Sequence, residues 1–342
     1  MFEVWASTPE TMGPRDIAAH AQRAEALGCD GLQVPDAIHD GLLLAALALN
    51  ASTRLRVMIG VLVAFPRSPM NVALAAWDLA ALSGGRFALG LGTQVKGNIE
   101  GRYSTPWTAP LPRMREYIGA LRAIFDAFQN GTRLEFHGEH YRFTKLQPFF
   151  NPGPIEHPRI PLLLGAVGPQ MTALAGEIAD GMLTHPTNSP PRYLREVVWP
   201  RLRAGAARAD RPLDDFALVS NALVATGTDA AAVVREREKW RRLLAFLFST
   251  PAYWPTLELF GWKGRGEQLL AMTRDNHWEQ MRELVDDAML DAVVPAATYA
   301  DLPAVLHQWY GGLAGRVSLA LPEDPAGDAE LATVVAALQR SA

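Results

Sequence analysis

The sequence is short of cysteine. Cys29 is the only one among 342 residues, which excludes an internal disulfide and any metal site built from several thiolates. No HExxH and no cluster of histidines and cysteines at ligand spacing occurs, so no metal centre is expected. An excess of positive charge is missing too: 36 acidic residues stand against 32 basic ones, for a net charge of -4. That balance leaves no electrostatic footprint for nucleic acid. The densest basic stretch, Arg235, Arg237, Lys239, Arg241 and Arg242, is interleaved with Glu236, Glu238 and Trp240 and reads as a solvated helix face. Long apolar runs are also absent. Leu42 to Leu49 is intensely apolar but far too short to cross a bilayer. Met1-Phe2-Glu3-Val4-Trp5-Ala6 reads as a strand and lacks the basic and apolar parts of a secretory signal. A soluble, cytoplasmic protein with no membrane partner is the expectation.

What is present is core material in a repeating order. Hydrophobic residues make up 49% of the chain and charged ones 20%, with mean hydropathy +0.01. Short apolar stretches at Phe2–Ser7, Gly31–Pro35, Leu55–Phe65, Arg86–Gly92, Ile160–Val167, Gly181–His185, Phe216–Thr226 and Arg316–Leu321 read as strands. Stretches with helical spacing separate them, for example Pro14–Leu27 before Gly28, Pro69–Leu82 before Ser83-Gly84-Gly85, and Arg113–Gln129. Eight strands alternating with helices predict a parallel sheet covered on both faces. A single (β/α)8 barrel (TIM barrel) spanning residues 1–342 accounts for the count; an open doubly wound sheet is the other arrangement. Two stretches exceed the minimum barrel. Residues 130–159, after strand four, are expected to form a loop or hairpin packed over the barrel mouth. Residues 229–295 are expected to form a helical insertion between strands seven and eight.

In such a barrel, function sits where strands end. Strand two ends in Pro35-Asp36-Ala37-Ile38-His39-Asp40. Asp36 and His39 could move a proton there, and Asp36 or Asp40 could equally cap the next helix. Strand three ends in an apolar run that suits a flat ring, followed by Arg67, read as structural. Strand four ends in Gly90-Leu91-Gly92-Thr93-Gln94-Val95-Lys96-Gly97-Asn98, where glycines permit close approach and Thr93, Gln94 and Asn98 offer neutral polar groups. Its glycines match no Walker or dinucleotide fingerprint. Strand five runs through Gly165 into Gly168-Pro169, where backbone N–H groups at the start of the Gln170 helix could hold an anion and Pro169 fits the first helical position. An ordinary tight connection is the competing reading. Thr184-His185-Pro186 closes strand six and faces the same mouth.

Leu82-Ser83-Gly84-Gly85-Arg86-Phe87-Ala88-Leu89-Gly90-Leu91-Gly92, together with Gly168-Pro169-Gln170-Met171-Thr172-Ala173-Leu174-Ala175-Gly176-Glu177-Ile178-Ala179-Asp180-Gly181, resembles the luciferase-like monooxygenase superfamily. Ala64-Phe65-Pro66-Arg67-Ser68-Pro69-Met70 and Phe149-Phe150-Asn151-Pro152-Gly153-Pro154 extend the likeness toward the branch that uses the deazaflavin coenzyme F420. The resemblance implies a barrel with the cofactor at the strands' C-terminal ends, and a homodimer. It implies a non-proline cis peptide at the tip of strand three, within Gly60–Val63, so that Gly60, Val61 and Leu62 back the ring. Thr93, Gln94 and Asn98 map onto contacts to the ring edge, and Ala166, Val167, Gly168 and Pro169 onto the phosphate turn. One departure stands out. The F420-dependent sugar-phosphate dehydrogenases of the superfamily share Asp36 but follow it with a histidine, where this chain has Ala37; their strand-four glutamate is also missing, with Val95 the nearest match.

The function implied is an F420-dependent oxidoreductase that transfers a hydride to or from a small organic substrate, with His39 as acid/base and Asp36 orienting it. An FMN-dependent monooxygenase on the same fold and a non-catalytic F420-binding barrel are the alternatives.

Overall fold

The computed structural model describes residues 1–340. Eight strands close a parallel barrel: β1 (Glu3–Ser7), β2 (Gly31–Val34), β3 (Arg56–Val63), β4 (Phe87–Gly92), β5 (Leu162–Gly165), β6 (Gly181–Leu183), β7 (Ala217–Ser220) and β8 (Arg316–Ala320), with β8 pairing back onto β1. Closure leaves no open edge, so the doubly wound alternative falls away. Each strand is parallel to both neighbours, with register such as Trp5↔Gly31 and Leu89↔Leu162.

Local signals fix the helices that cover it. In α1 (Ile17–Ala26) the residues Ile17, His20, Ala21 and Ala24 turn inward. Asp40 caps α2 (Gly41–Ala51) by accepting from the N–H groups of Leu42 and Leu43. α3 (Pro69–Ser83) starts with Ser68 as cap and Pro69 in its first turn, and it stops at Gly84 in the left-handed region. α4 (Pro110–Asn130) buries Met114, Tyr117, Ile118, Leu121, Ile124 and Phe128 along one face, the spacing of an amphipathic helix. Behind β5 runs α5 (Pro169–Ile178), then a helical stretch through α6 (Trp199–Arg208). The main core lies between these helices and the barrel wall. A smaller apolar cluster of Trp5, Met58, Ala88, Leu163, Leu183 and Val219 plugs the barrel interior beneath its mouth.

Arg86, the last residue of the Ser-Gly-Gly-Arg stretch, works at the opposite face. Its guanidinium donates to the carbonyl oxygens of Ser83 (2.9 Å), Leu55 (2.7 Å), Leu49 (3.2 Å) and Ser52 (3.1 Å). It ties the start of β4 to the starts of β3 and α3's end, at the face of the barrel that bears on stability.

Two expectations need correction. The segment after α4 does form a hairpin, Phe136–His137 against Arg142–Phe143, but it lies along α4 and not over the mouth. Glu116 of α4 accepts from the N–H groups of Glu139, His140 and Tyr141, and the later part of the segment returns to the end of α4 through Asn151 and Ala127. The stretch read as one strand at Phe216–Thr226 is two. β7 ends at Ser220, and Ala225–Gly227 pairs instead with Ala296–Thr298 as a parallel two-stranded stem. That stem frames the helical insertion, led by α7 (Ala230–Phe248), which has its own cluster around Leu244, Phe248, Leu257, Leu269 and Leu290. Two closing helices, α8 (Leu302–Tyr310) and α9 (Asp328–Gln339), complete the outer ring; Arg23 of α1 donates to both carboxylate oxygens of Asp328. No helix among the described residues is long and apolar enough to cross a membrane.

Candidate active site

A cavity of about 660 Å³ opens at the C-terminal ends of the strands, and all eight strands or the residues just after them contribute to its wall. That size is ordinary for a site holding an organic cofactor or substrate. Its ninth contributor is the insertion, through Trp240, Leu243, Leu247, Ala252 and Tyr253. The lining includes Glu10 and Asp36 but no lysine or arginine.

The tip of β3 shapes the centre. The Gly60–Val61 peptide is cis, inside the expected window, and the β3–β4 register shifts between Ile59 and Leu62. The Val61 side chain then leans across β4 and β5. A Cβ on Gly92 would come within 2.4 Å of Val61 Cγ2, and one on Gly165 within 2.8 Å of Val61 Cγ1. Glycine at these two positions is therefore a packing requirement set by Val61. Gly60 and Val61 line the cavity. Leu62 does not; it is fully buried in the core facing the helices.

A polar girdle lies below this shelf. Gln33 Nε2 approaches the Gly60 carbonyl at 3.5 Å, and Ser318 Oγ lies 3.4 Å from Gln33 Oε1 and 3.3 Å from Asn221 Oδ1. A hydroxyl has one proton to give, so Ser318 serves one of the two at a time. Gln33, Asn221 and Ser318 escaped the sequence reading. Their signal was a single polar residue set in or beside an otherwise apolar strand, as in Gly31-Leu32-Gln33-Val34.

Asp36 is buried and fully engaged. Its Oδ1 accepts from Gly41 N–H at 3.0 Å, its Oδ2 from Val63 N–H at 2.9 Å, and Arg67 reaches both oxygens at 2.8 and 3.1 Å. Arg67 also donates to Asp40 Oδ2 at 3.0 Å. The carboxylate thus clamps the tip of β3 to the start of α2, and its lone pairs are spent on that task. His39 is not brought to Asp36. Its ring lies toward Gly13 in the loop after β1, and it is absent from the cavity wall. The physical reason is local: Asp40 must cap α2, which turns the preceding residue outward.

At strand four, Thr93 and Gln94 line the cavity, with Gln94 at φ 58°. Asn98 is exposed and donates to Gln94 Oε1 at 3.1 Å, so it supports the turn and does not face the cavity. At strand five, Ala166, Val167 and Gly168 line the cavity, while Pro169 begins α5 behind them. The N–H groups of Val167, Gly168, Gln170 and Met171 have no hydrogen-bond partner among the described residues. A Cβ on Gly168 would meet nothing within 4 Å. Free donors, an open approach and the start of a ten-residue helix meet the requirements of an anion cradle.

His185 completes the constellation. It lies in the cavity wall, stacked on Tyr253 with ring centroids 4.4 Å apart and 12° between planes. Burial pushes its pKa down to about 4, so the ring is neutral at ordinary pH. Nδ1 accepts from the Thr187 backbone N–H at 3.3 Å and lies 2.9 Å from Thr187 Oγ1. A backbone N–H can only donate, so the tautomer that matches this cap carries its proton on Nε2. No group of three or more His, Cys, Asp or Glu among the described residues is placed to hold a metal.

The same chain, compared with known proteins, matches the family model described as luciferase-like monooxygenase over residues 1–312. It is 41% identical over 307 residues to an uncharacterized protein of Mycobacterium tuberculosis, covering 89% of this chain and 90% of that one. It is 30% identical over 252 residues to the F420-dependent glucose-6-phosphate dehydrogenase of Nakamurella multipartita, covering 69% of this chain and 71% of the relative. Among solved structures, the coenzyme F420-dependent tetrahydromethanopterin reductase of Methanopyrus kandleri superposes with a TM-score of 0.79 at 20% identity, over 98% of this chain and 97% of that one, a likeness of fold. The chain belongs to the luciferase-like monooxygenase family, and its relatives there include F420-dependent oxidoreductases.

Proposed function

We propose that the protein is an F420-dependent oxidoreductase acting on a small organic substrate. The observation that carries the reading is the pairing, in one cavity, of the Gly60–Val61 shelf with the unpartnered N–H groups of Val167, Gly168 and Met171. The shelf offers a flat apolar support for a tricyclic ring. Thr93 and Gln94 stand beside it as polar contacts for the ring edge, and the cradle would hold the phosphate of the side chain. The family and the F420-dependent relatives agree with that assignment. When bound, F420 supplies two-electron chemistry by giving or taking a hydride. The chain's residues then have to orient the substrate, exclude water and hold a proton near the reacting atom. Asp36 is committed to its clamp and His39 faces away, so His185 is the titratable side chain best placed for the last task.

The test is a titration of the protein with F420, following quenching of deazaflavin fluorescence, with FMN as the competing cofactor. Gly168→Asp puts a carboxylate at an open position of ordinary backbone geometry (φ -75°). It is expected to leave folding intact and to abolish F420 binding through like-charge repulsion. Retained F420 affinity in a folded Gly168→Asp protein would show that the phosphate lies elsewhere. Binding of FMN in place of F420 would overturn the cofactor assignment.

A further inference from the structure

The half of the cavity away from the phosphate cradle has a wall of different origin. Leu223 and Val224 follow β7, and Trp240, Leu243 and Leu247 project from one side of α7 at helical spacing, with Tyr253 beyond them. These groups bring hydrocarbon and aromatic surface. Trp240 has already given its indole N–H to the Val224 carbonyl at 2.9 Å, so it presents a face and no free donor. Tyr253 is turned with its ring flat against His185. The insertion is fastened there from a second point: Thr256 Oγ1 donates to the carbonyl of Thr187, the residue that fixes the His185 ring. Two polar groups in this part of the cavity have no protein partner among the described residues, the Tyr253 hydroxyl and His185 Nε2, and of the two only Nε2 belongs to a ring that a hydrogen bond holds in place, through Thr187.

We propose that this space is the substrate subsite, and that it takes an uncharged, largely apolar molecule whose carbonyl or hydroxyl oxygen accepts the Nε2–H of His185. The proposal rests on the preceding reading of the shelf and cradle as the cofactor's half of the cavity. Two features exclude the charged alternative. No lysine or arginine lines the cavity, so a phosphorylated or carboxylated substrate would enter without a counter-ion. The acidic groups present are Glu10, which would repel an anion, and Asp36, already neutralised by Arg67. An uncharged molecule meets neither difficulty. It also gains from the apolar wall, while the single fixed donor sets which of its atoms faces β6. The insertion thereby becomes the element that selects the substrate, and His185, at its seam with the barrel, the element that orients it.

The probes are cyclohexanone, methylenecyclohexane as its near-isostere without oxygen, and glucose 6-phosphate, each titrated into the full chain and followed by ligand-observed NMR. Cyclohexanone is expected to bind about three- to tenfold more tightly than methylenecyclohexane, the yield of one neutral hydrogen bond. His185→Phe keeps a flat ring on Tyr253 and removes the donor, so it should abolish or reverse the preference, since the ketone oxygen then loses water without gaining a partner, and His185→Gln should restore part of it. In protein labelled with 15N-histidine, the imidazole signal missing from His185→Phe should report the Nε2–H tautomer and move on addition of cyclohexanone. That second readout is made on the unsubstituted chain, and His185→Gln assigns the same signal if His185→Phe fails to fold. A preference that survives in folded His185→Phe, a His185 signal unmoved by saturating cyclohexanone, or tighter binding of glucose 6-phosphate than of cyclohexanone would each overturn the proposal. F420 binding is measured separately by fluorescence. Ketone binding that moves His185 in a chain that ignores F420 would uphold this subsite and sink the cofactor reading.

Discussion

Asp36 offers the sharpest test of how the mouth is built, because its two readings predict opposite behaviour. An acid/base aspartate can be replaced with little effect on folding. A clamp cannot. The side chain is 4% exposed and accepts from Gly41 N–H, Val63 N–H and both terminal nitrogens of Arg67, itself 22% exposed. Removing one partner of a buried pair costs about 3–5 kcal/mol. Arg67 would keep Asp40 and the Val63 carbonyl, which places the loss of the ion pair at the lower end. The stranded Val63 N–H adds about 1 kcal/mol or more. Asp36→Ala is therefore expected to lose about 4 kcal/mol, a large part of the roughly 5–15 kcal/mol that holds a folded domain. Urea unfolding followed by circular dichroism reads this directly, and a slope of about 3 kcal/mol per molar would move the midpoint by more than 1 M. Arg67→Met alone should also be costly, while the double variant should cost about 2 kcal/mol less than the two single losses added, since neither charge is then left alone. Unfolding of Asp36→Ala within about 1 kcal/mol of the unsubstituted protein, or strict additivity in the cycle, would refute the clamp and return Asp36 to the list of free carboxylates.

Three further outcomes follow from the same geometry. Gly92→Ala should destabilise by about 1–3 kcal/mol by overpacking, because its Cβ would sit 2.4 Å from Val61 Cγ2; Val61→Ala in the same chain should recover most of the loss in thermal unfolding. Arg86→Met should cost about 3 kcal/mol by stranding buried carbonyls, yet leave F420 affinity unchanged, since Arg86 works at the face opposite the cavity. His185 should make stability fall with acid: its folded pKa of about 4 lies below its ordinary 6.5, so the unfolded chain takes a proton that the native one refuses. That loss, about 3 kcal/mol in full, develops between pH 6.5 and 4, is absent above that window, and should be missing from His185→Phe when both are unfolded in urea across the range.

The barrel was legible because its signals are local and repeated. Short apolar strands, Ser68-Pro69 at a helix start and Gly84 at its end each announce themselves within a few residues. The Ser-Gly-Gly-Arg stretch, which points to the family, turned out to serve the fold through Arg86 and not the site. The hairpin after α4 was legible as a hairpin but not in its position, since only the distant Glu116 decides where it docks. The break after Ser220 was hidden for a similar reason: the partner of Ala225–Gly227 lies some seventy residues on, at Ala296–Thr298.

The two histidines show most clearly where the sequence stops. Both His39 and His185 follow the end of a barrel strand by a few residues, and strand periodicity alone assigns both to the mouth. Their directions are set by what the next helical turn demands. At His39 the demand is met by its neighbour: Asp40 caps α2 with its own side chain, and the histidine is released toward Gly13. At His185 no such neighbour exists. The histidine itself caps the turn Pro186–Asn188 through Nδ1, which pins the ring at one edge and turns the other edge to the cavity. Tyr253, brought back by the insertion, then closes over its face and strips away the water that would have kept it titrating near neutrality. Capping is thus the decision point between an outward and an inward histidine. Giving position 39 a capping role by Asp40→Ala should redirect His39 toward the free N–H groups of α2, whereas His185 stays inward as long as Thr187 N–H has no other acceptor.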